Sequence, residues 1–241
     1  MRRIRPGLNH VLGLWLVCAG CLDARPRPAA GECITEEADA GPADPADPPK
    51  LVLALDYSGS MTADFDGVQT RAEVVQATLL GLLDLGLPIQ WGLVIYSSGV
   101  RETVAVASDN ELALEEAMGR RGPGGATRTH LALESAGALL RATGPERRHL
   151  LLVSDGYPNG GDPVPVSDRL RLQDNVSILA LEVRSVGALD GLQAVMTRMA
   201  GAGGDPDGDD PRFYASAGDP GALQAALDEV TNAVLCGPRP Q

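Results

Sequence analysis

The stretch Leu51-Val52-Leu53-Ala54-Leu55-Asp56-Tyr57-Ser58-Gly59-Ser60-Met61 decides how the chain is read. Five apolar residues in succession, with no charge among them, predict a strand buried on both faces, the pattern of a parallel sheet covered by helices. The run then delivers an aspartate and two serines, at every second position, into a glycine turn. Residues two apart in extended chain face the same way, so the oxygens of Asp56, Ser58 and Ser60 converge where the strand ends.

Two later stretches complete a pattern. Gly124-Gly125-Ala126-Thr127-Arg128-Thr129 is a glycine-rich loop carrying a Thr-x-Thr, and Leu151-Leu152-Val153-Ser154-Asp155-Gly156 is a second apolar run ending in an aspartate. With Asp56-Tyr57-Ser58-Gly59-Ser60 they resemble, in order, the three motif loops of the von Willebrand factor type A domains, and the resemblance covers about Lys50 to Leu235. It implies an α/β, doubly wound, Rossmann-like fold: a mostly parallel six-stranded sheet with one antiparallel edge strand and helices on both faces. It also implies a metal-ion-dependent adhesion site formed by Asp56, Ser58, Ser60, Thr127 and Asp155. In that family the ion, held partly through water, completes its shell with a carboxylate of a partner protein. In integrin β subunits two adjacent acids after the motif serve a neighbouring site; here the first of those places is Ala63 and only Asp64 remains, so no second metal is expected.

The chemistry of these residues supports the same site from the bottom up. In an open parallel sheet, loops at the carboxyl ends of the strands share one edge, and ligands collect where the strand order reverses. Asp56 and Asp155 should meet there, and two like charges at ~4 Å repel by about 4 kcal/mol at an effective dielectric of 20. A divalent cation offsets that repulsion. An all-oxygen donor set without histidine or thiol favours Mg²⁺, with Mn²⁺ or Ca²⁺ as alternatives, over zinc. Three neutral hydroxyls leave the ion short of negative charge and ready for an outside anion.

Around this stretch the chain reads as strand, helix, strand. Val75, Leu79, Leu82 and Leu83 form the stripe of a helix beginning near Val68, and Ile89 to Tyr96 is the next strand. Only Ser97-Ser98-Gly99 separates it from the run Val100 to Ala107, too short a link for a parallel crossover, so those strands pair antiparallel. Asp109 is placed to cap a short helix. Leu133, Ala136 and Leu140 lie on a helix after Thr127, and His149 to Ser154 is a strand. The segment holding Pro158, Gly160, Gly161, Pro163 and Pro165 reads as a loop. Val176 to Val183 is a strand, Leu189 to Ala200 a helix, Arg212 to Ala215 the last strand, and Asp219-Pro220 caps a final helix. Asp205 to Asp210 resembles the start of an EF-hand loop, but its glycine place holds Asp210 and its closing glutamate place Ser216, so a solvated turn is expected.

Beyond the domain of residues 50–236, residues 1–20 have the layout of a signal peptide: Arg2, Arg3 and Arg5, then the apolar stretch Val11 to Val17, then Cys18-Ala19-Gly20-Cys21. The ending resembles a bacterial lipoprotein box with Cys21 as the acylated residue; ordinary secretion or a periplasmic location is the alternative. Residues 21–49, rich in proline and acid, form a tether without enough apolar surface to fold alone, and 237–241 a short tail. The expected place is therefore the cell envelope, with membrane contact only through the lipid. In that oxidising setting Cys33 and Cys236 are expected to pair. A loop of roughly 200 residues closed by such a bridge is worth on the order of 5 kcal/mol in the chain-entropy model.

Composition excludes some classes. A formal net charge of −12 and a single lysine, Lys50, make the surface repulsive to nucleic acid and anionic lipid. Catalysis is not expected. A haloacid-dehalogenase-like phosphohydrolase, the enzyme alternative, needs a second acid where Ser58 stands, and a P-loop needs a lysine that the glycine-rich loop lacks. His130 sits near Thr127 without a serine elbow or triad and reads as a surface or loop residue. A scaffold of the same fold that binds no metal is the third reading. The best-supported expectation is a metal-dependent protein-binding or adhesion module whose partner presents an exposed Asp or Glu.

Overall fold

The computed structural model describes residues 47–120, 122–184, 191–201 and 214–236. Its organising element is the predicted apolar strand, β1 (Lys50–Asp56), every residue of which is buried. β1 is buried on both faces because it lies inside the sheet, paired in parallel with β2 (Gln90–Tyr96) on one side and with β4 (Arg148–Ser154) on the other. β3 (Val100–Ala107) pairs antiparallel with β2, as its short link requires, and β5 (Val176–Val183) and β6 (Tyr214–Ala217) extend the other half in parallel. The six strands stand in the order β3-β2-β1-β4-β5-β6. The order reverses between β1 and β4, so the crevice at their carboxyl ends is where this topology places a ligand.

Alternation along β1 divides the core. Leu51, Leu53 and Leu55 face one apolar layer with α1 (Arg71–Leu83), α2 (Glu111–Gly119) and α6 (Pro220–Cys236). Val52 and Ala54 face the other, with α3 (Thr129–Arg141), α4 (Val164–Leu172) and α5 (Gly191–Ala200). This is the doubly wound α/β architecture with one antiparallel edge strand and helices on both faces.

Several local expectations shift. α1 begins at Arg71 rather than near Val68, because Thr70 and Glu73 form a reciprocal capping box. Asp109 is not the cap of α2: it takes a left-handed turn at φ 59, and Asn110 stands at the N-cap without a side-chain cap bond. The Asn110 amide instead donates to the carbonyls of Trp91 (2.7 Å) and Ala105 (2.9 Å), joining the helix start to the sheet edge. The proline-rich loop ends in an unforeseen helix, α4; Pro165 is accommodated in its first turn, where an amide hydrogen has no helical partner to lose. β6 runs through Ala217, two residues past the expected end, and α5 is described from Gly191. The acidic turn Asp205 to Asp210 lies outside the described residues, as do residues 1–46 and 237–241. His130 is on the first turn of α3, half-buried, rather than in a loop.

A clasp closes the end of the domain remote from the crevice. Buried Arg147, at a left-handed φ of 50, donates from Nη2 to the carbonyls of Val234 (3.0 Å) and Leu235 (2.8 Å) in the last turn of α6. A cation at a helix C-terminus satisfies orphan carbonyls and complements the macrodipole. Next to it His149 is buried, and burial followed by the Arg147 charge pushes its imidazole down to about 4. The folded state thus holds His149 neutral, whereas the unfolded chain protonates it near 6.5. Its stabilising contribution is complete above about pH 6.5 and is lost as pH falls toward about 4, by up to about 3 kcal/mol. Denaturant midpoints of wild type and His149→Gln, followed from pH 7.5 to 4, should therefore converge on acidification; a constant difference contradicts the assignment.

Candidate metal centre

Asp56 is the last residue of β1 and is completely buried. Its Oδ1 accepts from the Ser58 amide at 2.8 Å, the turn bond that the Asp-x-Ser spacing makes available, and its Oδ2 accepts from Ser154 Oγ at 2.6 Å across the β1/β4 pairing. Ser154 and Asp155 are adjacent but have different partners: the serine hydroxyl donates to Asp56, and the Asp155 carboxylate meets Ser60 and Arg71. Burial dominates the electrostatics of Asp56 and, despite the Ser154 and Ser58 hydrogen bonds and with a contribution from the Asp155 charge, pushes its carboxyl up to about 6.

From Ser58 a chain of contacts runs to the second carboxylate. Ser58 Oγ and Ser60 Oγ are 3.0 Å apart, and Ser60 Oγ donates to Asp155 Oδ1 at 2.7 Å. Ser60 is placed by the short 3₁₀ turn Gly59–Thr62, whose end is held by the Thr62 hydroxyl on the Gly59 carbonyl at 2.8 Å. Asp155 Oδ2 is ion-paired with Nη1 of Arg71 at the start of α1. Thr127 reaches the same place from the second loop. A Cβ at Gly156 would lie 3.1 Å from Thr127 Oγ1 and 3.3 Å from Ser60 Oγ, so both hydroxyls crowd a position that only glycine leaves open.

Backbone hydrogen bonds stitch the three loops together. The Gly59 amide donates to the Gly125 carbonyl at 2.9 Å and the Gly124 amide to the Tyr57 carbonyl at 2.7 Å, tying the first loop to the second. Gly125 needs its φ of 91, and a Cβ there would fall 2.6 Å from Ser98 Oγ, the hydroxyl that accepts from the Ala126 amide at 2.8 Å. Asn159 ties the second loop to the third: its Oδ1 accepts from the Thr127 amide at 3.2 Å and its own amide donates to the Thr127 carbonyl at 2.8 Å.

The five positions singled out in the sequence are therefore brought together: Asp56, Ser58, Ser60 and Asp155 through side-chain contacts, and Thr127 through its packing on Gly156. Cys21 and Cys33 lie outside the described residues. Cys236, buried at the end of α6, is disulfide-bonded. Ser154, Asn159 and Arg71 belong to the site but escape a reading of motifs. Only Arg71 leaves a local trace, as a cation at a helix N-terminus, where the macrodipole disfavours it.

The donor set fits a hard divalent cation. Two carboxylates and three hydroxyls offer only oxygen, and among the described residues no three His, Cys, Asp or Glu side chains gather to hold an ion by charge alone. A site so rich in hydroxyls has one carboxylate, Asp56, whose charged form burial opposes, and a cation is what reverses that opposition.

Comparison with known proteins agrees with the architecture. The model of the von Willebrand factor type A domain matches residues 50–229. No curated protein matches the chain. Among solved structures, the pilus adhesin SpaC of Lactobacillus rhamnosus GG superposes with a TM-score of 0.62 at 18% identity, covering 78% of this chain and 30% of the adhesin. BatB of Bacteroides thetaiotaomicron gives 0.58 at 18% identity, covering 76% and 97%. The manganese-loaded TRAP protein of Plasmodium vivax gives 0.55 at 20% identity, covering 75% and 72%. At these identities the likeness is one of fold, and the chain spans less than a third of the adhesin's length. The sheet order, the motif loops at its switch point and the match over most of the sequence lead to one statement: this chain belongs to the von Willebrand factor type A domain family.

Proposed function

We propose that the domain is a metal-dependent protein-binding module of the cell envelope, with Asp56, Ser58, Ser60, Thr127 and Asp155 holding a divalent cation, Mg²⁺ by preference. The observation that carries this reading is the buried Asp56 carboxylate, joined through the Ser58 amide and then the Ser58 and Ser60 hydroxyls to Asp155, at the strand-order switch point. A cation there supplies the positive charge that a carboxylate on a partner's Asp or Glu completes. The chain's own residues do the rest: Ser154 and the Ser58 amide orient Asp56, Ser60 orients Asp155, and Asn159 fixes the backbone on which Thr127 stands. Adhesive pilus proteins and a manganese-loaded protein share the fold, which is consistent with such a role.

The proposed setting is the exported one: a leader ending at Gly20, Cys21 as lipid anchor, and residues 21–49 as a spacer that lifts the domain from the membrane. Among the described residues no helix is long and apolar enough to cross a membrane. The bond at Cys236 suits an oxidising compartment, with Cys33 as its proposed partner. Replacing Cys21 with serine should move the protein from the membrane fraction to the soluble fraction on cell fractionation; unchanged partitioning counts against the anchor.

Isothermal titration of Mg²⁺ and Mn²⁺ into chelator-stripped protein should give saturable one-site binding that Asp56→Ala abolishes. Absence of heat from wild type, or equal heat from the variant, removes the metal reading. Stability should move the other way without metal. Asp56→Asn replaces a buried charge by a neutral amide, so in chelator at pH 8 it should be more stable than wild type by about 1–3 kcal/mol, and excess Mg²⁺ should no longer raise its Tm. An Asp56→Asn protein that unfolds earlier than wild type in chelator would show that the carboxylate is a structural anchor instead.

A further inference from the structure

We propose that Arg128 forms an anion subsite beside the cation, so that the partner recognised by this domain presents two acidic groups a short distance apart rather than one. The inference rests on the metal reading above and deepens it by naming the partner's chemistry. Arg128 follows Thr127 directly and stands at the N-cap of α3, where its side chain makes no capping bond. An N-cap residue normally offers an oxygen to the first amides of the helix; a guanidinium has only donors, and its charge faces the positive end of the helix dipole. The residue therefore does nothing for the helix it begins.

Its position is nevertheless fixed. The Arg128 amide donates to the Ser97 carbonyl at 2.9 Å, its carbonyl accepts from the Leu131 amide at 3.1 Å, and Asn159 holds the backbone of Thr127 just before it. The side chain is exposed, yet its arm lies against the third loop. A Cβ at Gly160, whose φ is 78, would stand 3.2 Å from Arg128 Nε, 3.5 Å from its Cγ and 3.6 Å from its Cδ. At the next residue, Gly161, a Cβ would fall 2.6 Å from Cε1 and 2.7 Å from Nδ1 of His130. Two glycines in succession thus let the start of α3 lie on the third loop, and they hold the guanidinium between the two loops that bring Thr127 and Asp155 to the site.

Among the described residues the Arg128 side chain has neither an ion pair nor a hydrogen bond. Arg101, on the neighbouring hairpin, is spent on the carbonyls of Gly122 (2.9 Å) and Gly124 (2.5 Å). Asp162, the acid that follows this glycine pair, accepts from the Val164 amide at 3.0 Å instead. In a chain with 32 acidic against 20 basic residues, a cation left without an acid beside the proposed docking point of a carboxylate is complementary to an anion from outside. A guanidinium also suits a carboxylate in shape, since its planar fork donates two parallel hydrogen bonds. A partner with one acid reaches the cation alone; a partner with two also engages Arg128, and the second contact is gained at the high effective concentration set by the first.

The test is titration of ¹⁵N-labelled full-length protein in saturating Mg²⁺ with acetate and with succinate, glutarate and adipate, for wild type, Arg128→Gln and Arg128→Lys, with Mg²⁺ affinity measured for each. In wild type the best of the three diacids should bind about tenfold more tightly than acetate and shift the Arg128 Nε–H signal saturably. Arg128→Gln should bring that diacid to within about twofold of acetate without weakening Mg²⁺ binding, and Arg128→Lys, which keeps the charge, should retain a preference of about threefold. Absence of a diacid preference in Mg²⁺-loaded wild type, absence of binding by any of the acids, or a preference that survives in Arg128→Gln overturns the inference and leaves the metal site standing. Mg²⁺ binding lost in Arg128→Gln alone also overturns it, because Arg128 then supports the metal site itself. No Mg²⁺ binding by wild type overturns the metal site and the inference with it.

Discussion

Two carboxylates meet at the point where the sheet reverses its order, and one of them, Asp56, is wholly buried. That burial follows directly from what precedes it. A strand apolar on both faces has to lie inside the sheet, and the residue that ends it emerges into the crevice beneath three loops rather than into water. The charge on Asp56 is therefore opposed by its own scaffold, and burial pushes its carboxyl up to about 6. Everything else in the crevice answers this one conflict: the Ser58 amide and Ser154 hydroxyl on its oxygens, the serine relay to Asp155, and the reciprocal backbone bonds that stop the loops from splaying.

The scaffold can carry such a conflict because its stability is generated elsewhere. The two apolar layers, one under α1, α2 and α6 and the other under α3, α4 and α5, enclose the sheet on both faces. At the opposite end Arg147 locks α6 onto the strand bearing His149 through two carbonyls, and the bond at Cys236 adds a covalent restraint. Local frustration at a functional edge, supported by consistent packing behind it, is the usual division of labour in a folded domain.

How much of this could be read beforehand depended on whether the signal was periodic or tertiary. β1, the serine spacing and the forced antiparallel turn at Ser97 to Gly99 were legible because each is a property of neighbours in sequence. α4 was not, since Pro163 and Pro165 read as breakers when one lies at the boundary and the other in the first turn, the places a helix tolerates proline. Asp109 was misassigned because aspartate suits a left-handed turn as well as a cap, and propensity does not separate the two. Ser154, Asn159 and Arg71 were out of reach for a different reason. Their partners stand 98, 32 and 84 residues away, and no local pattern encodes a pairing that exists only after the strands have assembled.

The structure also makes the two aspartates unequal, which the motif alone does not. Asp155 has a guanidinium on one oxygen and a hydroxyl on the other, whereas Asp56 receives an amide hydrogen and a hydroxyl hydrogen, donors without net charge. Neutral donors stabilise a buried carboxylate less than a cation does. In the metal reading proposed above, a divalent ion would therefore have most to relieve at Asp56.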